Sequence, residues 1–389
     1  MITKLDIRNF TVFSELSIDF SPKINVIIGE NGTGKTHLLK VAYGLCSGST
    51  LFKNKPDISK DDVETALTSK LLRLFMPLDD KLGKMRRQGV AENAQLEAQF
   101  ALDQKVAVTF HTNSKSLAIQ ENTNYEQYQS EPVFIPTKEV LSLVKGMVLD
   151  GHHLPTIKCI FDDTYIDLSL LLMNSDGEDS DGRIDLDPRF GSVVPAMVNA
   201  VGGKYQLTGG EFCFQNGAYL EKKAPLRSQG HQAQRYQDNV KTTFNPTKDP
   251  MFPSSMTAEG FRKIGILHRL LVNKSLNPGV SGPLFWDEPE SNMNPKLMRM
   301  LVDILLELSR NGQQIILATH DYVLLKWLDL LMDKGKDDHV RYHVLFKGAD
   351  GVESDSAESY QELNMNSIAE TFGDLYDKEI ERALGRPMA

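Results

Sequence analysis

The octapeptide Gly29-Glu30-Asn31-Gly32-Thr33-Gly34-Lys35-Thr36 stands between a short apolar run, Ile24 to Ile28, and a segment of helical spacing that begins His37-Leu38-Leu39-Lys40-Val41-Ala42. A strand that turns through glycines into a helix aims a row of backbone N–H groups, and the positive end of the helix dipole, at one spot. That spot suits phosphate. Lys35 is spaced to reach the β and γ phosphates, and the Thr36 hydroxyl to ligate Mg²⁺. The alternative is a glycine-rich turn with an accidental Lys-Thr, against which the flanking strand and helix speak. The whole stretch from Gly29 to His37 is therefore a candidate nucleotide cradle.

The remaining chain must supply the other half of such a site. Its 389 residues allow two domains, or one nucleotide-binding domain with a large insertion. With 41% hydrophobic and 24% charged residues, a sizeable core is available and a disordered chain is excluded. The net charge of −9 argues against a molecule that binds nucleic acid with its whole surface, though a local basic face is compatible with it. Cys46, Cys159 and Cys213 have no metal-ligand spacing and read as reduced thiols of a cytoplasmic protein. The opening residues lack a signal-peptide core, and no apolar run approaches membrane length, so no membrane partner is expected.

Alternation over residues 3–10 and 16–20 predicts two half-buried strands ahead of the phosphate loop. Helical patterns follow to about Cys46 and from Ile58 to Phe75. Residues 95–119 alternate as antiparallel strands would, and Pro132-Val133-Phe134-Ile135-Pro136 reads as a buried strand ending in a loop. Between Asn174 and Asp187 six acidic residues lie among serines and glycines, out of register for an EF-hand, which favours a solvated linker. Ser228 to Asp249 is polar and reads as a long loop. From Ser254 to His320 the order is helix, strand, helix, strand, the parallel half of an α/β sheet. No repeat and no sustained heptads are present.

Leu284-Phe285-Trp286-Asp287-Glu288 is an apolar strand ending in two carboxylates. In a parallel sheet its end lies on the same edge as the phosphate loop, so Asp287 is expected near a Mg²⁺ held by Thr36. Glu288, one residue on, is placed to orient or deprotonate an attacking water. A third strand, Gln314 to Thr319, ends in His320, whose imidazole is suited to contact a γ-phosphate and that water.

The set formed by the P-loop, Trp286-Asp287-Glu288-Pro289-Glu290, Ser291-Asn292-Met293-Asn294-Pro295 and Ala318-Thr319-His320-Asp321 resembles the head domain of ABC-type ATPases. Within them it is more similar to the RecF, SMC and OLD-like branch than to transporter subunits. The opening strand with Arg8-Asn9-Phe10, Asn31-Gly32 in the loop, and Asp-Glu-Pro-Glu carry that distinction. The resemblance covers about residues 1–48 and 254–325. It implies an α/β head with a mixed sheet, helices on its faces and antiparallel N-terminal strands. The head would be split into residues 1–50 and 251–389 by a large α+β insertion, residues 51–250.

The resemblance also implies a signature motif that caps ATP bound to a partner. By order it falls on Met256 to Lys263, with Thr257, Ala258, Glu259 and Gly260 as the contact residues and Ala258 where the family has serine. Thr257 is the one residue there that offers a replacement hydroxyl. No Q-loop glutamine is found; the turn Pro136-Thr137-Lys138-Glu139 holds its place in order. Two heads would then pack head to tail around two ATP molecules, with Mg²⁺, as a homodimer or higher even oligomer. Glu288, His320 and Lys35 would carry hydrolysis.

SMC-type coiled coils are excluded by the missing heptads, and the tail beyond His320 is too short for an OLD-type nuclease domain. Compact ATPases of this form resemble those of bacterial anti-phage modules of the Septu, retron-associated or PARIS-like kinds, in which a separate protein is the effector. A RecF-type repair ATPase that binds DNA is the second reading. For it, Lys81, Lys84, Arg86 and Arg87 form a basic cluster, of a kind that is more often a solvated face than a DNA contact. A transporter subunit is the third.

Overall fold

The computed structural model describes residues 1–48, 52, 57–145, 154–174, 191–222, 241–363 and 367–384. In chain order the strands are β1 (Ile2–Phe10), β2 (Phe13–Asp19), β3 (Ile24–Gly29), β4 (Ala94–Phe100), β5 (Gln104–Phe110), β6 (Ala118–Thr123), β7 (Val133–Ile135), β8 (Gly203–Thr208), β9 (Glu211–Lys222), β10 (Lys241–Pro246), β11 (Phe252–Pro253), β12 (Leu284–Asp287), β13 (Ile315–Ala318), β14 (Val340–Gly348) and β15 (Gly351–Ala357). The helices are α1 (Lys35–Gly48), α2 (Lys60–Phe75), α3 (Leu154–Ile160), α4 (Asp163–Met173), α5 (Val193–Val201), α6 (Glu259–Val272), α7 (Pro295–Arg310), α8 (Tyr322–Leu331) and α9 (Ser367–Ala383).

The centre is a six-stranded mixed sheet in the order β15-β14-β3-β13-β12-β7. All neighbours are parallel except β15, which returns antiparallel on β14. Strands buried on both faces read as continuous apolar runs, and β12 and β13 are fully buried along their length. Alternate residues feed two different cores. Leu284, Trp286, Ile315 and Leu317 face one; Phe285, Ile316 and Ala318 face the other. Because the sheet is parallel, β3, β12 and β13 end on one edge, which brings the phosphate loop, both carboxylates and His320 together.

A five-stranded antiparallel sheet, β2-β1-β4-β5-β6, packs over one of these cores. It corrects the expected division of the chain. Residues 94–123 pair with the N-terminal strand (Leu5 opposite Ala98, Ile7 opposite Leu96), and β7 forms the edge of the central sheet. Part of the segment expected as an insertion, residues 94–123 and 133–135, therefore belongs to the same two sheets as the N-terminal strands. A second correction concerns the loop expected over 228–249, since Lys241–Pro246 is a strand paired antiparallel with β9. Its remainder up to residue 240, and the acidic linker beyond Asn174, lie outside the described residues.

The start of α4 is fastened to α1 and α2 by polar contacts on its aspartates. Lys40 of α1 donates to Asp162 at 2.6 Å, Tyr43 of α1 to Asp167 at 2.7 Å, and Arg73 of α2 to Asp163 at 3.0 Å. Among the described residues no helix is long and apolar enough to cross a membrane.

Candidate active site

The phosphate loop has the backbone its residues prescribe. Gly32 and Gly34 both take positive φ. At Gly29 the reason for glycine is space as well as φ, since a Cβ there would stand 2.3 Å from the carbonyl oxygen of Leu345 on β14. Glu30, Asn31 and Gly32 are exposed at the mouth, while Thr33 is buried and donates to the Glu30 carbonyl at 2.8 Å. Lys35 is folded into its own loop, with Nζ donating to the carbonyls of Gly29 (2.7 Å) and Glu30 (3.0 Å). Burial pulls its pKa below the usual value, against the opposing pull of Glu288, Asp287 and Glu290. The amine is thus held among carboxylates and carbonyls where a phosphate would lie. The ring of His37 packs edge-on against Phe75, 5.4 Å between centroids, so its side chain joins α1 to α2.

The two halves of the site meet. Thr36 Oγ1 donates to Asp287 Oδ2 at 2.9 Å across 251 residues of sequence. Thr137 Oγ1 donates to the same oxygen at 3.1 Å from the turn after β7. Burial raises the Asp287 pKa, and the two hydroxyls partly offset that rise. One carboxylate with two hydroxyls is a hard oxygen set of the kind that suits Mg²⁺, which keeps waters and substrate phosphates as its other ligands. No cluster of three or more His, Cys, Asp or Glu that could cage a metal occurs among the described residues. Thr137 was not assignable from sequence beyond its place in order, because a lone hydroxyl in a loop has no pattern.

Glu288 follows in the left-handed region, φ 48°, with its N–H on the Ala318 carbonyl at 2.9 Å. The turn throws its side chain toward β13, where His320 Nδ1 stands 3.3 Å from Glu288 Oε1. Beneath them lies Glu290, a motif residue with no role assigned from sequence. Its Oε1 accepts from Thr319 Oγ1 (2.7 Å) and from the His320 backbone N–H (3.3 Å), fixing the strand end that carries the imidazole.

Burial raises the Glu290 pKa from 4.5. The native state then binds more protons than the unfolded one above that value, so this group's contribution to stability declines as pH rises through its folded pKa. Two variants separate its hydrogen bonds from its charge. Glu290→Ala should lose about 2 kcal/mol by leaving the Thr319 hydroxyl and His320 N–H unpaired. Glu290→Gln keeps an acceptor and should be at least as stable as the wild type at neutral pH, where the buried charge is gone. Urea unfolding at acidic and neutral pH reads both.

The candidate signature turn occupies the start of α6. Ala258 is its N-cap residue and makes no side-chain cap hydrogen bond. Thr257 Oγ1 donates to the Ser254 carbonyl (2.6 Å) and is hydrogen-bonded to the Tyr205 hydroxyl (2.7 Å). Glu259 opens the first turn. Gly260 is required within the chain itself, since a Cβ would meet the Asn292 carbonyl at 2.9 Å and Met293 Cα at 3.1 Å. The turn after β7 reaches α6 too, through the buried Glu139 and Arg262 Nε at 2.8 Å.

Of the basic cluster, Arg87 donates to the Asp350 carbonyl (2.6 Å) and Arg86 to the carbonyls of Val90 and Glu92. Arg86 thus holds its own turn, and Arg87 ties it to the connection between β14 and β15.

Two family models match, one on each side of the site. Residues 1–142 match the model described as "AAA ATPase domain", and residues 161–326 the model described as "AAA domain, putative AbiEii toxin, Type IV TA system". Among curated proteins the chain is similar to the DNA replication and repair protein RecF. With that of Limosilactobacillus reuteri it shares 29% identity over 154 residues, 39% of this chain and 35% of the relative. With that of Idiomarina loihiensis it shares 49% over 47 residues, 12% and 13% of the two chains. These stretches span about a third or less of the relatives' own length. Among solved structures, the SMC head domain from Thermotoga maritima aligns at 11% identity and a TM-score of 0.47, covering 92% of this chain and 99% of that one. An SMC head bound to the C-winged helix domain of ScpA aligns at 13% identity and 0.48, covering 92% and 97%. On both sides of its composite site, then, the chain is similar to AAA-type P-loop ATPase domains, and over shorter stretches to RecF.

Proposed function

We propose that this protein binds and hydrolyses ATP with Mg²⁺, pairs head to tail with a second copy around the nucleotide, and thereby gates a separate effector in anti-phage defence. The convergence of Thr36, Thr137 and Asp287 beside Lys35 and Glu288 carries the catalytic part of this reading. Bound beside Asp287, Mg²⁺ would neutralise charge on the phosphate oxygens. Lys35 would release its own loop carbonyls for the β and γ phosphates. Glu288 would take a proton from water aligned with the γ phosphorus, and His320 would hold that water and sense whether the phosphate is present.

The N-terminus of α6, where the N-cap Ala258 makes no side-chain cap, supports the two-head arrangement. The match to a domain model described with a toxin–antitoxin system supports an effector-linked role. RecF-like binding of DNA is the second reading, favoured by the RecF matches. For this reading Lys81 and Lys84 are the residues of the basic cluster whose charges are not tied to backbone carbonyls.

Sedimentation with and without Mg²⁺ and ATP tests the pairing: the mass should double with nucleotide and return to one protomer as ATP is consumed. An unchanged mass with ATP bound overturns it. Duplex affinity that falls steeply with salt, and is lost on neutralising Lys81 and Lys84, would favour the DNA reading.

A further inference from the structure

Lys263 lies in the first turns of α6 and is fully buried. Its neighbours along the helix, Ile264, Leu267, Leu270 and Leu271, belong to an apolar core. An ammonium in such a place is costly unless paired. Burial lowers its pKa, while Glu290, Glu259, Glu288 and Asp287 favour its charged form. Its hydrogen bonds are specific: Nζ donates to the Glu288 backbone carbonyl at 3.0 Å and to Ser291 Oγ. Ser291 Oγ is in turn 3.3 Å from the Thr137 carbonyl. Packing alone would be served by methionine, so the charge must act through what it touches.

What it touches is the peptide of a residue in a conformation that a non-glycine residue resists. Left-handed backbone costs on the order of 1 kcal/mol or more and persists only where surroundings impose it. At Glu288 the N–H is fixed by the Ala318 carbonyl, and its own carbonyl accepts both from the Ser291 N–H at 3.1 Å and from Lys263. Together these three bonds set the direction in which the carboxylate leaves the chain, and the one from Lys263 is the one that ties it to α6.

We propose that Lys263 is a positioning residue for ATP hydrolysis: from the helix that opens with Ala258, Glu259 and Gly260, its ammonium locks the Glu288 peptide so that the carboxylate stays aimed at the attacking water. This rests on Glu288 being the base. Lys263 is also a single side chain through which a tilt of α6, the helix expected to cap the partner's ATP, reaches the base of its own chain.

The test compares Lys263→Met, Ser291→Ala and Glu288→Gln in the full chain. ATP affinity is measured by equilibrium titration, kcat by phosphate release, and folding by the urea midpoint. Lys263→Met should keep ATP affinity and lose kcat by about 10- to 100-fold, the scale of a small misplacement of a reacting group. Ser291→Ala removes the hydroxyl that orients the ammonium on the Glu288 carbonyl and should lose kcat by a smaller but measurable factor. A folded Lys263→Met with wild-type kcat overturns the proposal, as does one in which affinity and kcat fall together. If Lys263→Met does not fold, Ser291→Ala decides: reduced kcat at unchanged affinity supports the lock, and wild-type kcat overturns it. Wild-type turnover by Glu288→Gln would instead overturn the assignment of the base, a separate failure.

Discussion

Lys35→Ala should weaken ATP binding by about 10²-fold or more while leaving the protein folded. The ammonium is the one cation whose side chain already lies inside the phosphate loop, donating to the carbonyls of Gly29 and Glu30. A triphosphate offers it stronger, charged acceptors, and losing one charged partner of a desolvated pair costs about 2–5 kcal/mol, of which every 1.4 kcal/mol is tenfold in Kd. The folded state gives up less. Burial already disfavours this charge, as its lowered pKa records, so removing it relieves a desolvation cost as well as losing two hydrogen bonds to the loop. Titration with a fluorescent ATP analogue, beside a urea unfolding curve, separates the two effects. Near wild-type affinity in a folded Lys35→Ala protein would mean that phosphate is bound elsewhere.

Much of this site was legible because its parts are local patterns tied to one edge of a sheet. Apolar runs buried on both faces announced β3, β12 and β13, and the residues just past their ends are the candidate site. Parallel strands sharing one edge bring Thr36 and Asp287 to 2.9 Å. The antiparallel strands were legible as strands but not as neighbours. Alternation reports which face of a strand is buried and says nothing of what pairs with it, so residues 94–123 read as insertion although they complete the sheet of β1.

Lys241–Pro246 was illegible for another reason: Lys-Thr-Thr-Phe-Asn-Pro has no apolar alternation, and backbone pairing with β9 is what makes it a strand. Thr137 and Lys263 act through contacts distant in sequence, and only the fold makes them. Gly260 was legible as a glycine at a helix start but for an incomplete reason, since the close approach of Asn292 and Met293 also demands it.

Glu288→Gln should bind ATP, lose turnover by about 10²- to 10⁴-fold, and accumulate as a closed dimer. Glutamine keeps the shape and polarity of the side chain and its place 3.3 Å from His320, but cannot take a proton from water. The backbone supports a clean comparison, because Gln and Glu bear the same strain at φ 48° and the bonds from Glu288 to Ala318 and Lys263 are made by main-chain atoms. Asp287, Thr36 and Thr137 are untouched, so metal and nucleotide should still be held. If pairing is driven by intact ATP between two heads, slowing hydrolysis lengthens the life of the pair, and the variant should sediment at twice the protomer mass in ATP and once in ADP. Lys35→Ala, unable to hold the nucleotide, should remain a protomer in both. The two variants thus move association in opposite directions from one site, an outcome that general destabilisation cannot produce. An ATP-loaded Glu288→Gln protein that stays monomeric would leave the catalytic geometry standing and remove the second head from the mechanism.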